Sequence, residues 1–168
     1  MIDMKAIFGD VKYKLTSPFG YRSPLGLPAG ASKFHQGIDW SVPAGTKIGA
    51  FESGKVLDTG FNKAKGNFVR IQHSGGLVSE YGHLDSVSVS SGQTLSKGGL
   101  LGFAGNTGIS SGVHLDFRLS KDGNYFDPLK YGGEAGGSTV DVGGITDLIK
   151  DNWYFIAGGL LIVAVLSK

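Results

Sequence analysis

The sequence predicts an all-β domain built on an antiparallel β-sheet. Glycine occurs 29 times in 168 residues without a collagen period, which points to many tight turns between short strands. From Thr46 to Phe117, β-favouring runs such as Lys55-Val56-Leu57, Asn67-Phe68-Val69-Arg70-Ile71 and Leu100-Leu101-Gly102-Phe103 alternate with clusters of Gly, Asn and Ser. A long helix has almost no place to fit in that span.

Taken in order, residues 1–16 form an N-terminal segment in which charged and apolar residues alternate. It lacks a continuous apolar stretch, so no cleavable secretory signal is visible. Residues 17–131 form the β-domain. Residues 132–144, with Gly132-Gly133, Gly136-Gly137 and Gly143-Gly144, read as a flexible linker. Residues 145–168 read as a short hydrophobic C-terminal helix. Its uncharged core, Trp153 to Leu166, spans about 21 Å as a helix against the ~30 Å of a hydrocarbon core. Trp153 and Tyr154 at one end and Lys168 at the other fit interfacial anchoring and snorkelling. The expectation is therefore a membrane anchor, with mismatch absorbed by thinning or by the extension from Ile145. A helix buried in a protein assembly is the alternative.

Hydrophobic content of 40% is enough for a core. Net charge is only +2 with no dense Lys/Arg tract, which argues against a nucleic-acid partner. The absence of Cys removes disulfides and thiolate metal sites.

Chemistry concentrates in three histidines, His35, His83 and His114, which lie in short Gly-rich segments together with Asp39 or Asp116. His35 to Asp39 cannot be a zincin helix, because Gly37 and Pro43 break one. In an extended strand alternate residues share a face, so His35 and Asp39 are expected to point the same way. In His114-Leu115-Asp116-Phe117 the polar pair takes one face and the apolar pair the core. Two such strands could supply three ligands to a tetrahedral metal and leave a fourth position open, the catalytic arrangement for zinc. His73, beside Ser74-Gly75-Gly76, reads as structural, and Asp85, Asp122 and Asp127 as turn and loop residues. Gly105 to Gly112 lacks a following Lys-Ser/Thr and leads into a strand, so it is not a phosphate loop. Tyr21, Tyr81, Asn106 and Ser111 are candidates to line a substrate groove.

The stretch from Ser17 to Pro128 resembles the lysostaphin-like (LytM-type) zinc endopeptidases, which cut peptide cross-links of bacterial peptidoglycan. The resemblance rests on Ser17-Pro18-Phe19-Gly20-Tyr21-Arg22, His35 to Asp39, Pro43-Ala44-Gly45-Thr46 and Ser53-Gly54-Lys55-Val56. It continues through Tyr81-Gly82-His83-Leu84, which is similar to the family's Tyr-Ala-His-Leu, and through Gly92-Gln93 with Lys97-Gly98. Gly105-Asn106-Thr107-Gly108, Ser110-Ser111-Gly112 and His114 complete it. The family ends its last motif with a second histidine, where this chain has Asp116. Val113, where the family usually has Pro, and Gly99 are smaller departures.

Carried over by position, the resemblance implies one Zn²⁺ held by His35, Asp39 and Asp116, with His83 and His114 as the catalytic pair. A second carboxylate makes the ligand set more anionic, which lowers Lewis acidity and favours harder metals. Restoring histidine at position 116 is expected to preserve or raise activity unless the pocket has adapted to the carboxylate. The implied function is metal-dependent hydrolysis of peptidoglycan cross-links. The competing readings are a catalytically degenerate domain that binds peptidoglycan and a structural component of a virus particle. A tail-anchored domain without an export signal faces the cytoplasm, away from any wall. An internal membrane of a bacteriophage resolves that conflict, so the expected location is a virion membrane, among other virion proteins, with the enzyme acting on the wall during entry.

Overall fold

The computed structural model describes residues 2–132 apart from position 26. The chain opens with a short helix, α1 (Met4–Phe8), capped by Asp3, whose carboxylate accepts from the Lys5 and Ala6 amides. Twelve strands follow. They are β1 (Lys14–Ser17), β2 (Gly20–Tyr21), β3 (Phe34–His35), β4 (Ile38–Ser41), β5 (Lys47–Gly49) and β6 (Gly54–Asn62), then β7 (Gly66–Gln72), β8 (Leu77–Val87), β9 (Thr94–Leu95), β10 (Leu100–Ala104), β11 (His114–Lys121) and β12 (Asn124–Phe126).

The main sheet runs β1-β4-β11-β8-β7-β6-β9, with β12 beside β11 and with β10 paired to both β5 and β8. β2 and β3 form a separate two-stranded sheet. The pairings are antiparallel throughout, as the turn-rich sequence predicts. The two-residue period is plain in β11, where Leu115, Phe117 and Leu119 are fully buried while His114, Asp116 and Arg118 take the other face. Phe117 packs against Tyr81 and Phe51, with ring centroids 5.4 and 5.7 Å away.

The N-terminal segment does not stand apart from the domain. Ile7 and Phe8 of α1 are buried in the same core, and β1, which straddles the expected boundary at residue 17, pairs with β4. Among the described residues no helix is long and apolar enough to cross a membrane. The expected linker beyond Gly132 and the expected anchor, 145–168, lie outside the described residues.

Candidate metal centre and groove

Three neighbouring strands set the site. Asp116 in β11 lies opposite Asp39 in β4 on one side and opposite Gly82 in β8 on the other, so both aspartates project from the same face of the sheet. His35 arrives from the small sheet. Sequence spacing suggested that one extended strand carries His35 and Asp39, but four residues of straight strand separate Cα atoms by about 13 Å, too far to share an ion. The chain bends at Gln36-Gly37 between β3 and β4, and this bend makes the two side chains converge. Gly37 is required there, because a Cβ would fall 2.6 Å from the Phe117 carbonyl and 2.8 Å from Asp116 Oδ1.

His35 Nε2 lies 3.2 Å from Asp39 Oδ1 and 3.4 Å from Asp116 Oδ1, and the three donor atoms fall within 4.8 Å of one another. Zinc bonds of about 2.0–2.2 Å place tetrahedral ligand atoms about 3.3–3.6 Å apart. The cluster therefore fits a zinc ion in donor type and in the spacing of His35 to each carboxylate. Burial by itself would lower the His35 pKa, but hydrogen bonds to Asp116 and Asp39 override it and push it up to about 9. Asp116 moves the opposite way. Burial would raise its pKa, yet the Arg118 charge and the His35 contact hold it well below the usual carboxylate range.

The other two histidines stand beside this cluster, their ring centroids 4.7 Å apart. His114 Nε2 is 3.7 Å from Asp39 Oδ1. His83 reaches the groove through its backbone. Strict alternation along β8 would send it to the core with Tyr81, but His83 adopts φ 60°, a left-handed conformation uncommon outside glycine. Its amide donates to the Lys65 carbonyl at 2.7 Å, and its ring turns into the groove wall. Burial, with the neighbouring His114 adding to it, lowers the His83 pKa.

All three rings are anchored in one manner. Nδ1 of His35 contacts the Pro18 carbonyl at 3.1 Å, that of His83 the Thr107 carbonyl at 2.7 Å and that of His114 the Gly112 carbonyl at 2.8 Å. A carbonyl can only accept, so Nδ1 carries the proton. In each neutral ring Nε2 is then left with its lone pair, as a metal ligand or proton acceptor must be.

The site lies along a groove of about 770 Å³ whose walls include Tyr21, Arg22, Lys65, Ile109, Ser111 and Arg118. Tyr21 is 78% exposed and Ser111 lies on the loop before β11, so both meet the groove as expected. Tyr81 and Asn106 do not. Tyr81 is fully buried, its hydroxyl accepting from the Phe51 amide at 2.8 Å and from Ser79 Oγ at 3.1 Å. The second contact continues to His73 Nε2, 2.7 Å from Ser79 Oγ, so His73 is structural as read. Asn106 is exposed outside the groove lining.

Two residues outside the sequence-predicted set, Thr107 and Arg118, also hold the site. Thr107 fixes the loop that orients His83, its hydroxyl donating to the Leu84 carbonyl at 2.7 Å and accepting from the Asn67 amide at 3.0 Å. Arg118 was in reach of the reading, since it continues the His114, Asp116 face of β11 by the same two-residue step.

The profile of Peptidase family M23 matches residues 33–128, more than half of the chain. The chain belongs to this family. The M23 domain is 35% identical over 117 residues to DD-carboxypeptidase/endopeptidase Mpg of Neisseria meningitidis, covering 69% of this chain and 26% of that protein. This chain thus spans about a quarter of the length of that relative. Among solved structures, a zinc-containing peptidase from Vibrio cholerae matches with TM-score 0.61 and 29% identity over 68% of this chain and 35% of the other. The catalytic domain of lysostaphin from Staphylococcus simulans matches with TM-score 0.63 and 27% identity, covering 74% and 93% of the two chains. Membership of M23 agrees with the all-β fold and with the resemblance read from the motifs.

Proposed function

We propose that this protein is a metal-dependent endopeptidase that cuts peptide cross-links of bacterial peptidoglycan. The observation that carries the reading is the convergence of His35, Asp39 and Asp116 with His83 and His114 beside them on one groove. His35, Asp39 and Asp116 would hold the zinc ion. The chemistry a bound zinc ion supplies is Lewis acidity, which polarises a carbonyl and brings the pKa of water into the neutral range. His83, kept neutral by burial and presenting its Nε2 lone pair, accepts the proton that water loses. His83 then returns that proton to the leaving amine, and His114, its ring 4.7 Å from that of His83, donates a hydrogen bond to the oxyanion once a proton sits on its Nε2. Tyr21 and Ser111 bind the peptide on either side of these groups.

The test combines metal analysis with loss of turbidity of purified peptidoglycan. Wild type should hold one zinc ion per chain and clear the suspension. His35→Ala and Asp116→Ala should each lose most of the metal and with it the clearing. Full metal content in both variants means that the site is misplaced. A second reading draws on one observation, the Arg118 guanidinium lodged on Asp116: a domain that binds wall peptides or serves as a structural virion protein, with that cation, in place of a metal, neutralising the carboxylate. Wild type that takes up no metal, leaves peptidoglycan intact and still binds it favours this second reading.

The uncharged run Trp153 to Leu166 behind a Gly-rich stretch supports anchoring in a lipid bilayer, with the internal membrane of a bacteriophage particle as the proposed address. Truncation after Gly144 should give a soluble domain that still digests peptidoglycan, whereas the full chain should float with lipid vesicles. A full chain that stays in the aqueous fraction without detergent rules the anchor out.

A further inference from the structure

Asp116 is gripped on both oxygens. Arg118 Nε lies 3.1 Å from Oδ1 and 3.0 Å from Oδ2, and Nη2 also donates to Oδ2, so the weight of the fork falls on Oδ2. Oδ1 is the oxygen that faces His35 Nε2. The guanidinium is itself braced. Glu80 Oε1, buried and without a hydrogen bond among the described residues, lies 3.6 Å from Arg118 Nε, and Glu80 Oε2 accepts from Lys65 Nζ at 2.7 Å. Space for the pair comes from Gly37, where a Cβ would fall 2.5 Å from Arg118 Cγ. Asp39 has a looser partner in Arg22, whose Nη1 is 3.7 Å from Oδ2.

We propose that Arg118 is a positioning residue for the metal centre: it holds Oδ2 of Asp116 with two N–H groups, touches Oδ1 through Nε alone so that this oxygen faces His35 as the one metal donor, and cancels the extra negative charge of the second carboxylate. The inference rests on the metal reading above. Together Asp116 and Arg118 form a neutral unit that offers one donor atom, which is what a neutral imidazole offers. Arginine suits the task because its planar fork spans two carboxylate oxygens, whereas lysine offers a point charge. Aspartate at 116 is therefore one half of a pair. Asp116→His alone is expected to bind zinc and digest peptidoglycan less well than wild type, because it removes the carboxylate that accepts the Arg118 fork and leaves only Glu80 Oε1, 3.6 Å from Arg118 Nε, facing that cation.

The experiment measures zinc affinity by competition with a chromophoric chelator, and the absorption spectrum of the cobalt-substituted protein, for wild type, Arg118→Met and Arg118→Lys. Outer partners that orient metal ligands are worth about 10–100-fold in affinity, and a loss of that size is expected in Arg118→Met, together with an altered cobalt spectrum in the loaded protein. Arg118→Lys keeps the charge and the groove wall, so it folds even if the Met variant does not, and it too should bind zinc clearly less tightly than wild type. Lysine binding within about threefold of arginine, with an unchanged cobalt spectrum, overturns the positioning role. Tighter binding in Arg118→Met overturns it as well, because the guanidinium would then act only as a repelling charge. Wild type that takes up neither metal defeats the metal reading itself, a result distinct from both.

Discussion

Replacing either His83 or His114 with alanine is expected to slow peptidoglycan digestion by about 10²–10⁴-fold, the usual contribution of a positioned acid or base, while zinc content stays at the wild-type level. The two effects separate because neither ring belongs to the cluster of converging donors, yet both line the groove beside it. His83 should also tolerate alanine structurally. Its left-handed backbone is held by its own amide on the Lys65 carbonyl, a contact that does not use the ring. Single-turnover digestion and metal analysis on the same preparations check this. Rates within a fewfold of wild type would remove the residue from the mechanism, and loss of metal would move it into the ligand set.

Zinc affinity should fall by about tenfold for each pH unit below the His35 pKa, because the metal must then displace one proton. In the metal-free protein that pKa is pushed up to about 9, so at neutral pH His35 is an imidazolium shared between Asp39 and Asp116. The sign for stability follows. A raised histidine pKa stabilises the metal-free fold fully below the ordinary value of 6.5, and that contribution is lost as pH rises through about 9. Metal-free protein should therefore lose melting temperature between these values, while zinc-loaded protein, whose His35 is already neutral, should not show that loss. Chelator competition from about pH 6 to pH 9, with proton release followed in weak buffer, measures the linkage. An affinity independent of pH over that range excludes a protonated His35.

What was legible in the sequence was local. The alternation His114, Leu115, Asp116, Phe117 gives the face of each side chain directly, because the period of a strand is fixed by backbone geometry, and β11 follows it. Tyr81 shows where the sequence is silent. Tyr81 is expected in the substrate groove and His83 in the catalytic pair, but strand alternation puts the two on one face, and the positive φ of His83 separates them and leaves Tyr81 in the core. No propensity announces a left-handed histidine, since the conformation is imposed by contacts from the loops around it. The bend at Gln36-Gly37 escaped for a related reason. Glycine there signals only freedom of the backbone, whereas the need for it comes from Phe117 and Asp116 on a strand far along the chain. Arg118 is a different case, because its position on the face was readable and its two-oxygen grip was not.

The three carbonyls that seat the histidine rings belong to Pro18, Thr107 and Gly112, and a main-chain oxygen is present whatever side chain its residue bears. The geometry of the reacting groups is thus insulated from much of the amino-acid choice in the loops that border the groove. Such an arrangement lends itself to retargeting. Residues 109 and 111, and the exposed aromatic at 21, can be randomised in a library to favour a different peptide, provided the path of the backbone is preserved and Ser110, whose hydroxyl lies 3.2 Å from His114 Nδ1, is kept.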